Sequence, residues 1–411
     1  MTSMPTLLAP AGGMRPFQTA IRFGADAVYL GAKEYGLRAQ AKNFDETQLV
    51  EAVRIAHAAG VQVHLTLNIF ARDRDLSGMV RAAKLAQELG VDAAIVSDLG
   101  AIARLHREAP GLALHVSTQA NATNSETARV YRALGASRVV LARELTLEEI
   151  ERMASELRGE IELEAFVHGA VCMAYSGRCM LSSFLNGRSA NRGACSQPCR
   201  WTYALKERTR EDELLPIEED EHGTAILSSR DLCMFEHLPR LLESGLSCLK
   251  IEGRMKNELY VATVTGAYRR AMDAYARDPQ GYLADAPLQA ALRAELDKVS
   301  HRVYDTGFYF GAPRVCGEAV GVTQAAEYMG YIVDAGGGEV LVEMKNRFFV
   351  GDRLEAVTPA GIVPLTVEDI RSEETGEHMD AVSVPEQLVR IPCVAGIGAG
   401  DLLRGPVRNR A

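Results

Sequence analysis

Val61-Gln62-Val63-His64-Leu65-Thr66-Leu67-Asn68 alternates apolar and polar side chains without a break. A strand repeats every two residues, so Val61, Val63, Leu65 and Leu67 share one face and Gln62, His64, Thr66 and Asn68 the other. Three more segments read the same way. Leu114, Val116 and Thr118 oppose His115, Ser117 and Gln119. Ile161, Leu163, Ala165 and Val167 oppose Glu162, Glu164, Phe166 and His168. Leu249 and Ile251 oppose Lys250, Glu252 and Arg254. An open doubly wound sheet usually needs strands apolar on both faces. Strands with one polar face suit a closed barrel, with helices over the apolar side and the polar side in the lumen. Buried charges there need partners. Such a lumen suits an enzyme whose site opens at the C-terminal ends of the strands.

Outward from these segments, eight strands are predicted: Leu7–Pro10, Ala27–Gly31, Val61–Asn68, Ala93–Asp98, Leu112–Gln119, Arg138–Arg143, Ile161–His168 and Cys248–Arg254. Helical patterns such as Glu46–Ala59, Leu76–Leu89 and Leu147–Leu157 separate them, and Gly60, Gly90 and Gly135 stop three helices. Eight β/α units over roughly 250 residues predict a TIM-type (β/α)8 barrel. Residues 170–247 then form an insertion between strands seven and eight, with a hairpin and a helix of its own and a strand-like piece at Ala225–Ser228. Residues 257–300 are helical in pattern. After Gly311, short apolar runs broken by Gly, Pro and Asp predict a small C-terminal β-barrel or sandwich. The expected domains are 1–300 and 301–411.

The 411 residues are 47% hydrophobic and 24% charged, with a net charge of −9. These values are those of a globular protein, and the acidic balance argues against broad nonspecific nucleic-acid binding. No apolar run reaches membrane-spanning length, and the N-terminus carries no leader pattern; a cytoplasmic location is expected. There is no H-E-x-x-H, no G-x-S-x-G and no Walker loop, so nothing supports a metalloprotease or serine protease.

Four of the eight cysteines fall in one stretch, Cys172, Cys179, Cys195 and Cys199, spaced C-x6-C-x15-C-x3-C. From Ala165 to Lys206 there is no Asp or Glu, while Arg178, Arg188, Arg192, Arg200 and Lys206 are present. Four thiolates around one centre concentrate negative charge, which nearby Arg side chains and backbone N–H groups offset. Scattered core thiols or a redox pair are the alternatives. Cys233, Cys248, Cys316 and Cys393 read as core. Spacing alone leaves zinc and iron–sulfur ligation open, because only the second pair is close.

Glu164-Ala165-Phe166-Val167-His168-Gly169-Ala170-Val171-Cys172, followed by Gly177-Arg178-Cys179-Met180-Leu181-Ser182, resembles the signature of the collagenase-like U32 peptidase family. Arg188 to Arg200, Ser229-Arg230-Asp231-Leu232-Cys233, Lys250 to Lys256, Leu8 to Gly12 and Ala27 to Gly31 extend the resemblance over the whole barrel. It implies an oxygen-independent hydroxylase with Cys172, Cys179, Cys195 and Cys199 ligating a 4Fe–4S cluster. The family's hydroxylases act on the tRNA wobble uridine, a ribosomal-RNA cytidine or a ubiquinone precursor. A barrel plus one small β-domain in this length is most similar to the subgroup that hydroxylates the wobble uridine at C5 with prephenate as hydroxyl donor. The expected partners are therefore tRNA and prephenate; whether a paralogous member pairs with the chain is left open.

Among the lumen residues, His168 is a candidate acid–base at the end of strand seven. Glu164 is a second catalytic candidate, with a partnership to Lys250 or Arg254 as the plainer reading. Arg254 and Lys256 are placed to anchor a dicarboxylate, for which Arg offers a bidentate fork. Gln119, Asn121 and Asn68 are candidates for orienting a ring or base. Arg192 and the other arginines of 178–200 serve either the cluster or RNA phosphates. Trp201 is a candidate stacking residue, with core packing the safer guess. Arg404, Arg408 and Arg410 read as a solvated terminus or as RNA contacts.

Overall fold

The computed structural model describes residues 4–38, 41–172, 174–201, 230–311 and 322–408. The strand-like piece Ala225–Ser228, Lys206, Cys316 and Arg410 lie outside them. Contacts divide the chain into two compact units, residues 1–17, 25–255 and 301–322, and residues 18–24, 256–300 and 323–411.

The first unit is a closed parallel barrel. Its strands are Thr6–Pro10, Ala27–Gly31, Gln62–Leu67, Ala93–Val96, Ala113–Val116, Arg138–Val140, Glu162–Ala170 and Cys248–Ile251. The eighth pairs with both the first (Leu7 opposite Leu249) and the seventh (Ala165 opposite Leu249), which closes the sheet. Intervening helices include Glu46–Ala58, Asp73–Glu88, Leu99–Glu108, Ser125–Ala133 and Leu147–Glu156. Asp45 with Gln48, and Thr146 with Glu149, form capping boxes that start two of them. Gly60, Gly90 and Gly135 follow helices with φ of 72°, 80° and 102°, as helix-stop glycines do.

The two parities separate as expected. Val63, Leu65 and Leu67 are buried. On the other face His64 meets His115 edge-on, 4.8 Å between ring centroids, and Lys250 Nζ donates to Glu164 Oε1 at 2.7 Å. Four of the eight strands, the fourth, fifth, sixth and eighth, end two to three residues before the predicted limit, while the seventh runs on to Ala170. Gln119, Arg143, Glu252 and Arg254 therefore leave the sheet and stand at its C-terminal rim.

One strand breaks its own alternation. Phe166 opposes Lys250 but His168 opposes Ile251, so a bulge intervenes. Just beyond it Gly169 has φ 107°, and a Cβ there would lie 2.4 Å from the Glu252 carbonyl oxygen; only glycine fits both the backbone and the space. The end of this strand then pairs antiparallel with Asp231–Cys233 of the insertion. Asp231 is buried against Arg302, with Nη2 to Oδ1 2.7 Å.

The second unit holds helices Glu258–Arg277, Pro279–Ala284 and Ala286–Leu296 with a seven-stranded antiparallel sheet. The sheet's core includes Met329, Ile332, Val340, Val342, Val389 and Leu403. Among the described residues no helix is long and apolar enough to cross a membrane.

Candidate active site at the barrel mouth

A cavity of about 570 Å³ opens at the C-terminal rim of the barrel, and Cys172, Cys179, Cys195 and Cys199 all line it. The seven cysteines described are free thiols. The backbone N–H of Gln197 points at Cys195 Sγ, 3.4 Å away, the kind of donor that steadies a thiolate. Among the described residues no three His, Cys, Asp or Glu side chains close around a single-ion site. What the fold brings together is one cavity lined by four cysteines. Such a donor set, free of carboxylate from Ala165 to Lys206, is chemically suited to a thiolate-ligated metal centre.

Among the described residues, two sets of hydrogen bonds tie the Cys-bearing loop of the insertion to the barrel. Arg192 Nη1 donates to Asp75 Oδ2 (2.7 Å) and to the Phe70 carbonyl (2.6 Å), and the Phe70 N–H donates to Asn191 O. The Arg192 hydrogen bond holds the Asp75 carboxyl at about 2. On the other side Glu144 Oε1 accepts the Ser176 N–H at 2.8 Å, and Asn121 Nδ2 donates to Glu144 Oε2 at 3.3 Å. Gly177 lets the loop lie on the Gln119 carbonyl, where a Cβ would be 2.1 Å away.

Five cationic side chains line the cavity, Arg38, Arg143, Arg178, Lys250 and Arg254, against two carboxylates, Glu144 and Glu252. Arg254 is buried; Nη1 donates to Thr66 Oγ1 at 2.9 Å and Nη2 to Asn43 Oδ1. Burial lowers its guanidinium to about 10, still charged at neutral pH. Its room is made by glycines: a Cβ on Gly31 would stand 2.2 Å from Arg254 Nη2, and one on Gly12 2.1 Å from the Arg254 carbonyl oxygen. Burial works to raise the Glu252 carboxyl, but Arg38, Arg143, Lys250 and Arg254 outweigh it and hold it below its ordinary value. Burial, and then Glu252, push the Tyr29 phenol well above its usual range, so it stays a donor, to the Ile251 carbonyl at 3.0 Å. Arg143 lies over the Phe166 ring, 4.0 Å from its centroid.

The predicted site residues divide. Gln119, Asn68 and Arg254 line the cavity. Asn121 acts one step back, on Glu144. Glu164 lies at the lumen's floor, wholly buried between Lys250 and Arg138 (3.3 Å), and these cations overcome its burial to keep it ionised. The bulge takes His168 off the lumen parity. Its Nε2 faces Tyr304 Oη at 3.4 Å, and it does not line the cavity. Lys256 donates to the Ser300 carbonyl at 2.6 Å and does not line the cavity either. Arg192 is a clamp. Trp201 is 41% exposed rather than core. Arg404 is no solvated tail residue: it is buried and paired to Glu295 and Glu355, both at 2.7 Å. Arg408 pairs with Asp352. Arg38, Arg143, Tyr29 and Glu144 went unread. Tyr29 shows lumen parity within Ala27–Gly31, but the other three lie past strand ends, where period-two reasoning stops.

The peptidase family U32 matches residues 12–318, and its C-terminal domain matches residues 324–404. The chain belongs to the U32 peptidase family. It is 36% identical to tRNA hydroxylation protein P1 of Bacillus subtilis (strain 168), over 98% of this chain and 95% of that protein. It is 34% identical to 23S rRNA 5-hydroxycytidine C2501 synthase of Escherichia coli (strain K12), over 90% of this chain but 55% of that protein. It is also 32% identical to a collagenase of Porphyromonas gingivalis (strain ATCC BAA-308 / W83), over 92% and 94%.

Proposed function

We propose that this chain is an RNA hydroxylase that converts the tRNA wobble uridine to its 5-hydroxy form, taking the hydroxyl from prephenate. The observation that carries the reading is the composition of one cavity lining, which holds four thiols and five cations. Cys172, Cys179, Cys195 and Cys199 would hold a 4Fe–4S cluster. That cluster would supply redox chemistry beside the bound substrates. Arg254 is fixed by Thr66 and Asn43 and is suited to fork a carboxylate of a dicarboxylate. Arg38 and Arg143 pair with Glu252 at 3.4 and 3.8 Å, and Lys250 with Glu164 at 2.7 Å, so Arg254 is the member of this group that keeps its charge for a ligand carboxylate. Tyr29 stays protonated as a neutral donor. Glu144 is tied to the loop, and Glu252, kept ionised by Arg38 and Arg143, would hold those two guanidinium groups in place in the cavity.

The tRNA reading is preferred over ribosomal RNA because the tRNA-named relative matches this chain end to end, whereas the ribosomal one extends well beyond it. The collagenase-named relative keeps peptide hydrolysis as the rival. Nucleoside analysis of tRNA from a deletion strain tests the proposal. Loss of 5-hydroxyuridine-derived nucleosides, restored by the wild-type gene but not by a Cys172→Ser/Cys195→Ser form, is expected. Unchanged nucleosides, or oxygen-protected protein without iron, would sink it.

A further inference from the structure

The segment that supplies part of the cavity lining also carries exposed side chains that the cavity's chemistry does not use. Phe184 is 79% exposed, Tyr175 67% and Met180 58%. Single exposed apolar residues are ordinary on protein surfaces. These fall within ten residues of chain, and Tyr175 and Met180 also line the cavity. The Phe184 N–H donates to the Met180 carbonyl at 3.0 Å, so the two sit one helical turn apart and share a face. Arg178 and Arg188 are exposed on the same segment. Neither guanidinium has an ion-pair partner among the described residues, whereas Arg192 nearby is neutralised by Asp75.

We propose that this segment docks a single-stranded RNA loop, with Phe184 and Tyr175 as stacking platforms and Arg178 and Arg188 as phosphate contacts. The proposal rests on the RNA reading above and deepens it by naming the surface. An apolar lip alone would suit a protein or a membrane. Flat rings interleaved with unpaired guanidinium groups, over a stretch with no carboxylate in a chain of net charge −9, complement a polyanion with flat bases. Tyr175 and Met180 span both surfaces, so a base stacked there has a direct way into the cavity.

The test uses the full-length, oxygen-protected protein and fluorescence anisotropy. The probes are a labelled RNA stem-loop, the same stem without its loop, and vesicles of phosphatidylglycerol. Stem-loop binding weakened about tenfold by Phe184→Ala, and a salt slope reduced by about 0.7 in Arg188→Gln, are expected. Unchanged iron content in both variants shows that they fold. Variants that bind like wild type, equal affinity for the loopless stem, or preference for the vesicles each overturn the proposal. RNA binding that depends on these side chains, with no hydroxylation, keeps the docking surface and removes the functional reading. Hydroxylation that ignores both substitutions does the reverse.

Discussion

Arg254 combines burial with freedom from any ion pair among the described residues, holding two neutral acceptors instead. A cation kept that way has charge left for a ligand. Arg254→Lys keeps the charge and loses the planar fork. Under the proposed function, the expected result is a KM for prephenate raised about tenfold or more, since a hydrogen bond to a charged group is worth about 1.5–3 kcal/mol, with RNA affinity unchanged; steady-state kinetics with each substrate varied checks this. Glu164 behaves differently. Arg138 also pairs with Glu162 at 2.7 Å, so Glu164→Gln leaves chiefly the buried Lys250 without its carboxylate and lowers stability by about 3 kcal/mol. Denaturant unfolding reads that loss; unaltered stability with abolished turnover would return Glu164 to the list of catalytic groups. Both partnerships involve residues far apart in the chain. The sequence offered Lys250 or Arg254 as the partner of Glu164, and the closed barrel chose Lys250.

At the scale of elements, the strands were legible because each needs only a two-residue rhythm, and three predicted helix stops stand where glycine closes a helix. The bulge before His168 was not legible. It arises where the seventh strand pairs parallel with the eighth on one edge and antiparallel with Asp231–Cys233 on the other, and no local pattern records that conflict. The insertion's attachment also depends on distant partners. The Asp75 carboxyl sits at about 2 in the folded protein, below an ordinary Asp near 3.8. The clamp on Arg192 is therefore fully present above about pH 5 and is lost as pH falls toward 2. Asp75→Ala removes it at neutral pH. Alkylation of Cys195 and Cys199 in chelator-treated protein is expected to speed up about tenfold, as a loosened segment opens more often. An unchanged rate would mean that Glu144 and Ser176 hold the insertion by themselves.

For the molecule as a whole, the lumen's neutral histidines set a pH limit. Burial lowers His64 to about 4 from 6.5, so between those values the unfolded chain binds the proton that the folded chain refuses. Stability accordingly rises with pH across that window, by up to about 3 kcal/mol from this residue. Urea midpoints at pH 5 and 7.5 measure the difference, and His64→Gln is expected to narrow it. His115 is pushed down as well, by burial first and then by His64.

Composition and rhythm determined that this chain builds eight strands with a polar inner face, and that four thiols and a run of arginines share one acid-free segment. Those are local properties, carried by neighbouring residues and by the geometry of a strand. Only the tertiary structure decided which polar groups meet. It turned His168 aside, spent Arg192 on Asp75, buried Arg404 against two glutamates, and drew Arg38, Arg143 and Glu144 into the lining of the cavity that the four cysteines share. The reason is physical. A charge in a closed barrel is stabilised or penalised by whatever faces it, and closure of the sheet, rather than the order of residues, chooses what that is.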